Sequence, residues 1–476
     1  MIRWADWGAA VFARARDEHK PVLLSLTATW CHACHRMDDE TWSDPGVAAV
    51  VERSAVPVRV DADARPDVYA RFHLGGLPST ALLTAGAEFV RGGTFLSPVQ
   101  CLGFLDAAIA DWRAGRLPAP RPEPVRRPGL AGPGGPSESQ PPGERLVEEV
   151  VERLRRRADL VHGGFGVAPK LPEPDAVTLL LRLGAGRGDR ALTHIARLAL
   201  DAIAEHLVDP DDGGFFRYGA AADWSGPHTE KLAVDQAALI RVYLEAAMTL
   251  GEPGYVDVAR GALDHARRRL LDGKGRVLAS VAAAPALDEQ GEPRVDPRRF
   301  ADAAAAMISA ERAARGAGLG IAVHRELLAS APDGAVPHEL GVAGTGPAPV
   351  AGLLDDQALA IAAALDDHGA TRAQSCLDFA LGLADWSVRH LLDSAAGAFA
   401  AAPAARPGDP ALPPMLPLTG NGRMAMSLAR LADAARRPDL ARVARRVVES
   451  LAARAGRSPA GAPLALAALA LGPAAR

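Results

Sequence analysis

The stretch "ATWCHACHRMDDETW", residues 28–42, decides how the first part of the chain folds. It follows the apolar run "PVLLSLTA" and holds Cys31 and Cys34 in C-x-x-C spacing, with His32 and His35 beside them and Trp30 in front. A strand that runs directly into a C-x-x-C opening a helix is the arrangement of a small α/β redox domain. On the first turn of that helix the leading sulfur is expected at the exposed N-terminus and the second partly beneath it. The positive end of the helix stabilises a thiolate, and protonated His32 or His35 adds to the effect. Cys31 therefore reads as the nucleophile and Cys34 as the resolving thiol. Trp30 either shields the thiol or packs in the core.

The cluster admits other readings. Two cysteines and two histidines make a tetrahedral set for zinc, although His32 points to a different side of the helix from Cys31 and no second C-x-x-C exists. "CHACH" also contains C-x-x-C-H, a haem attachment pattern, but no export signal precedes it. An inert relic of a redox fold is the remaining alternative. The redox pair is favoured by the preceding strand, by Trp30 and by "GGLPST" (75–80). There Pro78 precedes a β-rich run, and a cis X-Pro bond would set the backbone beside the sulfurs. No cofactor and no metal is expected.

Working outward, a helix is expected over about residues 7–19 and a strand in "AVPVRVDA" (55–62). A hairpin is expected from "STALLTA" (79–85) and "EFVRGG" (88–93), and an amphipathic helix in "SPVQCLGFLDAAIADW". Residues 1–115 thus form a small α/β domain. Residues 116–144 are crowded with Pro and Gly and read as a linker. From 145 to 476 helix follows helix. Glycine-marked turns recur in "HGGFG" (162–166), "DDGGFFRY" (211–218), "LDGKGRVLA" (271–279) and, less clearly, "DSAAGAFA" (393–400). The repeat corresponds to roughly six helical hairpins, enough for a toroid of inner and outer helices.

With 476 residues, 49% of them hydrophobic, the chain is long enough for two or three cores. A formal charge of -4 gives no field that would recruit nucleic acid or an anionic membrane. No signal peptide and no membrane span is read, so the expected location is the cytoplasm, with no membrane partner. Four cysteines in a reducing compartment exclude a disulfide framework, and Cys101 and Cys376 are expected in the core. The expected partner is a disulfide-containing protein or small-molecule substrate, with a carbohydrate as the alternative.

Cys31, His32, Cys34, His35 and Met37 all fall on C-H-x-C-H-x-M. With "GGLPST", this motif is similar to that of the thioredoxin domain-containing family of spermatogenesis-associated protein 20 and its bacterial relatives. The likeness continues in "GGFGVAPKLPEPD" and "GGFFRYGAAADWSGPHTEKLAVDQAALIRVYLEA". It implies a thioredoxin-like domain with redox chemistry, followed by an (α/α)6 toroid resembling N-acylglucosamine 2-epimerases. After residue 275 the chain departs from the family. Where a Trp-Asn-Gly motif would open a helix, it has Phe300, Ala301 and Asp302, so a shortened toroid is expected.

In "SGPHTEKLAVDQ", His228, Glu230 and Asp235 are residue types that serve as acid and base at the mouth of a toroid, with Asp355 and Asp356 as further carboxylates. The plainer reading makes Ser225 or Thr229 a helix cap and puts Glu230 and Lys231 on a solvated face. The function read from the sequence is thiol-disulfide exchange, the toroid binding substrate or client. The alternatives are a carbohydrate-acting isomerase or hydrolase with an accessory thioredoxin-like part, and a non-catalytic binding protein.

Overall fold

The computed structural model describes residues 1–117, 141–283, 286–288, 291–331, 333–341, 350–404, 410 and 412–472. The chain divides into two compact units. One comprises 1–125 with 282–294 and 403–415, and the other comprises 126–281, 295–402 and 416–476. Most of the segment read as a linker lies outside the described residues, and Pro142–Glu144 at its end open a helix. The stretches 282–294 and 403–415, read as part of the helical domain, group with the first unit. There Arg71 donates a 2.6 Å hydrogen bond to the Pro413 carbonyl.

In the first unit α1 (Ala9–Asp17) precedes β1 (Val22–Thr27), α2 (His32–Met37), α3 (Pro45–Ser54), β2 (Val56–Asp61), α4 (Pro66–Phe72), β3 (Ser79–Leu83), β4 (Phe89–Gly93) and α5 (Pro98–Arg113). The sheet order is β2-β1-β3-β4. β2 runs parallel to β1, and β3 and β4 continue antiparallel. Alternation along β1 serves two cores: Leu23 faces Met37, Val47 and Leu105, while Val22, Leu24 and Leu26 face Phe12 and Phe72. A sheet apolar on both faces needs helices on both, and this explains the unbroken run "VLLSL". Cys101 is buried in this core as expected, and burial pushes its thiol up to about 12.

The second unit contains α6 (Pro142–Arg157), α7 (Pro174–Arg187), α8 (Arg190–His206), α9 (Ala233–Leu250), α10 (Gly254–His265), α11 (Ala301–Gly316), α12 (Leu354–Thr371), α13 (Gln374–His390), α14 (Leu418–Ala435), α15 (Pro438–Ala455) and α16 (Ala462–Leu471). Six of them pack in a closed inner ring, α7-α9-α11-α12-α14-α16 and back to α7. The outer helices α8, α10 and α13 back chiefly α7, α9 and α12, α15 backs both α14 and α16, and α6 packs against α15 and α16. The shortening falls between α11 and α12, where the described residues contain no outer helix. Inner helices are apolar nearly all round, as "ADAAAAMISA" of α11 shows, whereas α6, α8 and α15 carry one apolar stripe. Among the described residues no helix is long and apolar enough to cross a membrane.

The glycine-marked turns are where the chain reverses after the outer helices α6, α8, α10 and α13. Each closes a short bridge: Ala158 with Phe165, Val208 with Phe215, Leu271 with Val277, Leu392 with Phe399. Gly163 and Gly213 adopt φ of +72° and +78°, and a Cβ on Gly163 would collide with the Leu198 carbonyl oxygen.

One repeat was not visible in the sequence. Near the start of three inner helices an amide side chain binds the backbone of the loop that returns to it. Gln236 accepts from the Phe215 N–H at 2.8 Å and donates to its carbonyl at 2.7 Å. Gln357 binds the Val336 N–H (2.9 Å) and the Gly334 carbonyl (2.8 Å), and Asn421 binds both groups of Phe399 (2.7 and 2.8 Å). All three amides are fully buried. Gln236→Leu should therefore leave two buried backbone groups unpaired and lower the unfolding free energy by about 2–4 kcal/mol in urea titration. A loss below about 0.5 kcal/mol, the size of a neutral surface change, would refute this role.

Candidate functional site

The first candidate site sits where β1 feeds α2. Cys31 is the N-cap of α2, and its Sγ accepts the Cys34 N–H at 3.2 Å. Cys31 and Cys34 stand as a disulfide, with Cα atoms 5.3 Å apart. Beyond Met37 the helix widens into a turn over Asp38–Trp42. The Trp30 Nε1–H donates to Asp63 Oδ2 at 2.8 Å, which fixes the indole beside the pair, and Trp30 is buried. The Leu77–Pro78 bond is cis, and Pro78 is buried. His32 is exposed and His35 half-buried.

One expectation needs correction. The leading sulfur was read as exposed, yet Cys31 keeps only 5% of its surface and Cys34 2%. Placed as N-cap rather than on the helical turn, Cys31 turns its sulfur back over the first N–H groups, so the two thiols differ little in exposure. Asp38, one turn beyond Cys34, pairs with Arg59, which lies over the Trp4 ring. Burial raises the Asp38 pKa in spite of that cation. Cys376, expected in the core, is instead partly exposed on α13.

The second candidate site gathers at the first turns of the inner helices. Asp175 (α7), Asp235 (α9), Asp302 (α11) and Asp355 (α12) are first-turn acids, well placed against the positive helix ends. Arg423 of α14 joins them, 3.0 Å from Asp355 and 3.8 Å from Asp175. Burial acts to lower its pKa, but the carboxylates of Asp355 and Asp175 outweigh it and hold the guanidinium protonated. Burial raises the Asp235 pKa against the nearby charges of Arg217 and Arg423, although 40% of the side chain stays accessible. His228 stacks on Tyr218 with ring centroids 4.1 Å apart.

His228, Glu230 and Asp235 are thus brought together around Arg217, as the sharper reading of "SGPHTEKLAVDQ" requires. The plainer reading fails in two particulars. Neither Ser225 nor Thr229 caps α9, whose N-cap is Leu232 with no side-chain bond, and Glu230 and Lys231 are both buried. Lys231 is held by Asp209 at 2.5 Å and Asp212 at 2.7 Å, which makes it structural.

Arg423, Arg217 and His338 escaped the sequence reading. Arginines are too frequent here to stand out, and His338 lies in an irregular segment. His338 Nδ1 is 2.9 Å from Asp356 Oδ2, and both residues are buried. Asp302, His338 and Asp356 offer ligand atoms within 4.8 Å of one another, the one set among the described residues able to hold a metal ion. The hydrogen bond between His338 and Asp356 accounts for the approach of those two residues.

Burial pushes the Asp356 carboxyl up to about 6, against the pull of His338. The folded state then holds a proton that the unfolded chain releases near pH 4. This contribution to stability is complete below pH 4 and is lost as pH rises through about 6. In denaturant titrations, Asp356→Asn should remove a fall in stability on the order of 2–3 kcal/mol between pH 4 and 7. An unchanged pH profile in the variant would contradict the assignment.

Comparison with known proteins bears on both units. Residues 1–107 match the family described as "Thioredox_DsbH: Protein of unknown function, DUF255". Over 301 residues the chain is 30% identical to spermatogenesis-associated protein 20 of Homo sapiens, a match that spans 58% of this chain and 38% of the human protein. It is 32% identical over 108 residues to the thiol:disulfide interchange protein DsbD of Klebsiella pneumoniae, 21% of this chain and 17% of that one. The crystal structure of a D-mannose isomerase superimposes with a TM-score of 0.52 at 13% identity, covering 65% of this chain and 85% of that one. At that identity the likeness concerns the fold. The chain therefore carries a DsbH-like thioredoxin domain at its N-terminus, followed by a helical ring of the (α/α)6 toroid fold.

Proposed function

We propose that the protein is a thiol-disulfide oxidoreductase that works through Cys31 and Cys34, with the helical ring binding the substrate or client. The observation that carries this reading is the Cys34 N–H, 3.2 Å from Cys31 Sγ. In the reduced protein that donor stabilises a thiolate at Cys31, as does the positive end of α2. The resemblance to a thiol:disulfide interchange protein supports the same chemistry.

The Cys31 thiolate attacks one sulfur of a substrate disulfide, whose S–S bond breaks and whose second sulfur leaves as a thiolate that takes a proton. The Cys34 thiolate then attacks Cys31 in the mixed disulfide, releases the first substrate sulfur and closes the Cys31–Cys34 bond. Two electrons have passed to the substrate, and a dithiol reductant must return them. With only 5% of Cys31 accessible, attack is restricted to disulfides on a projecting segment that reaches the sulfur. Trp30, held by Asp63, directly precedes Cys31 in the chain. A carbohydrate-acting ring rests on fold likeness at 13% identity, and the geometry adds nothing that favours a sugar.

The test uses the full chain with a fluorescent disulfide peptide and dithiothreitol. Wild type should turn over, Cys31→Ser should lose at least about 100-fold in rate, and Cys34→Ser should accumulate a mixed disulfide. Turnover by Cys31→Ser at the wild-type rate, or a wild type without turnover, would end the proposal.

A further inference from the structure

One buried hydroxyl in the first unit is not accounted for by the fold. Thr80 of β3 is fully buried, and its Oγ1 finds no hydrogen-bond partner among the described residues. A buried donor without an acceptor is costly, and in a native core it points to a partner that another state of the protein supplies. The register of the sheet says where this hydroxyl lies. Across β1 and β3, Leu23 is opposite Leu82 and Ser25 is opposite Thr80. Leu23 and Leu82 pack in one core with Met37 of α2, so Ser25 and Thr80, two residues along on the same face, stand nearer the end of β1 that leads into α2. Cys34 precedes Met37 by three residues and shares its buried helix face. A step of about 6.6 Å along the strands, against about 4.5 Å back along the helix, puts Cys34 above Thr80. On its other side Thr80 is opposite Gly93, which has no side chain to answer it. The reverse face of the two strands, with Val22, Leu24, Leu26, Ala81 and Leu83, is wholly apolar. The Cys31 sulfur accepts the Cys34 N–H, but the Cys34 sulfur accepts no hydrogen bond among the described residues.

We propose that the Thr80 hydroxyl donates to the Cys34 sulfur once the disulfide is open and so readies the resolving thiolate for the second exchange step, an inference that rests on the thiol-disulfide function proposed above. In the disulfide the sulfur is a weak acceptor tied to Cys31. As a thiolate it carries a full charge where almost no water reaches, and a donor aimed at it favours the charged form. Thr80 keeps its own proton throughout. The proton that Cys34 loses passes to the substrate thiolate that departs in the first step. The electron pair left on the Cys34 sulfur then forms the new bond to Cys31 as the second substrate sulfur leaves.

The test follows Cys34 directly and needs no turnover. In the full-length chain carrying Cys31→Ser and Cys376→Ser, the remaining thiols are Cys34 and the buried Cys101, which is pushed up to about 12, and ultraviolet thiolate absorbance is read against pH. Adding Thr80→Val should raise the Cys34 midpoint by at least about one pH unit, a tenfold loss of thiolate, and Thr80→Ser should return it to the parent value. In the disulfide form of the otherwise wild-type chain, Thr80→Val should melt no lower than wild type, because it removes an unanswered hydroxyl; a lower melting temperature would mark a structural role and overturn the inference. If Thr80→Val does not fold, Thr80→Ala carries the same titration. An unmoved midpoint in the folded variant, or a Thr80→Ser midpoint raised as far as that of Thr80→Val, would overturn the inference and leave the thiol-disulfide reading standing. That reading fails separately, in the turnover assay.

Discussion

A helix start packed into an apolar core cannot offer water to the loop that returns to it. The inner helices of this ring are in that position, and each loop that meets one brings backbone N–H and C=O groups into an apolar interior. Gln236, Gln357 and Asn421 resolve the conflict by answering both groups with a single amide. Because the amide must sit opposite a fixed loop residue, it also sets the rotation and height of the helix. Asp235 and Asp356 directly precede two of these amides, so the same bonds that close the ring decide where the acids point. The charged end of the ring is in this sense a by-product of how its loops are tied down.

The thioredoxin-like unit solves a related problem at smaller scale. β1 is apolar on both faces and ends beneath α2, whose first N–H groups need acceptors. Cys31 supplies one with its sulfur, as Ser or Asp would at an ordinary helix start. The capping role and the chemical role therefore fall on one atom. They also pull in different directions, because a sulfur turned onto the helix end is shielded by it, and this accounts for the low exposure of Cys31.

Much of this was legible from residue patterns. The strand before the cysteines, the 79–93 hairpin and Pro78 are local signals, carried by apolar runs and turn residues that lie next to one another in sequence. The turn glycines of the ring were legible for the same reason: "HGGFG" and "DDGGFF" each contain glycines at positive φ, Gly163, Gly164, Gly166 and Gly213. What could not be read is nonlocal. Gln236 and Phe215 are 21 residues apart, and Arg423 meets Asp175 and Asp355 only because the ring closes. The burial of Glu230 and Lys231 was missed because charged side chains are priced as exposed until a partner is known, and the partners of Lys231 lie in the preceding turn.

The gap in the outer layer shows how the ring tolerates shortening. With α13 behind α12 and no outer helix among the described residues between α11 and α12, the outward face of α11 is left to the connection itself. Ile321, Val323, Leu327, Val336 and Leu340 are all buried in the core of the second unit, and among the described residues their irregular segment holds one short 3-10 turn, Glu326–Ala329. An irregular segment in this role has unpaired backbone that a helix would not have. It is at this segment that Gln357 binds Val336 and Gly334, and that His338 binds Asp356. The polar side chains at the start of α12 thus replace the hydrogen bonds that the missing helix would have made within itself, and this explains why a fully buried Asp356 is retained beside a fully buried Gln357 in an otherwise alanine-rich helix.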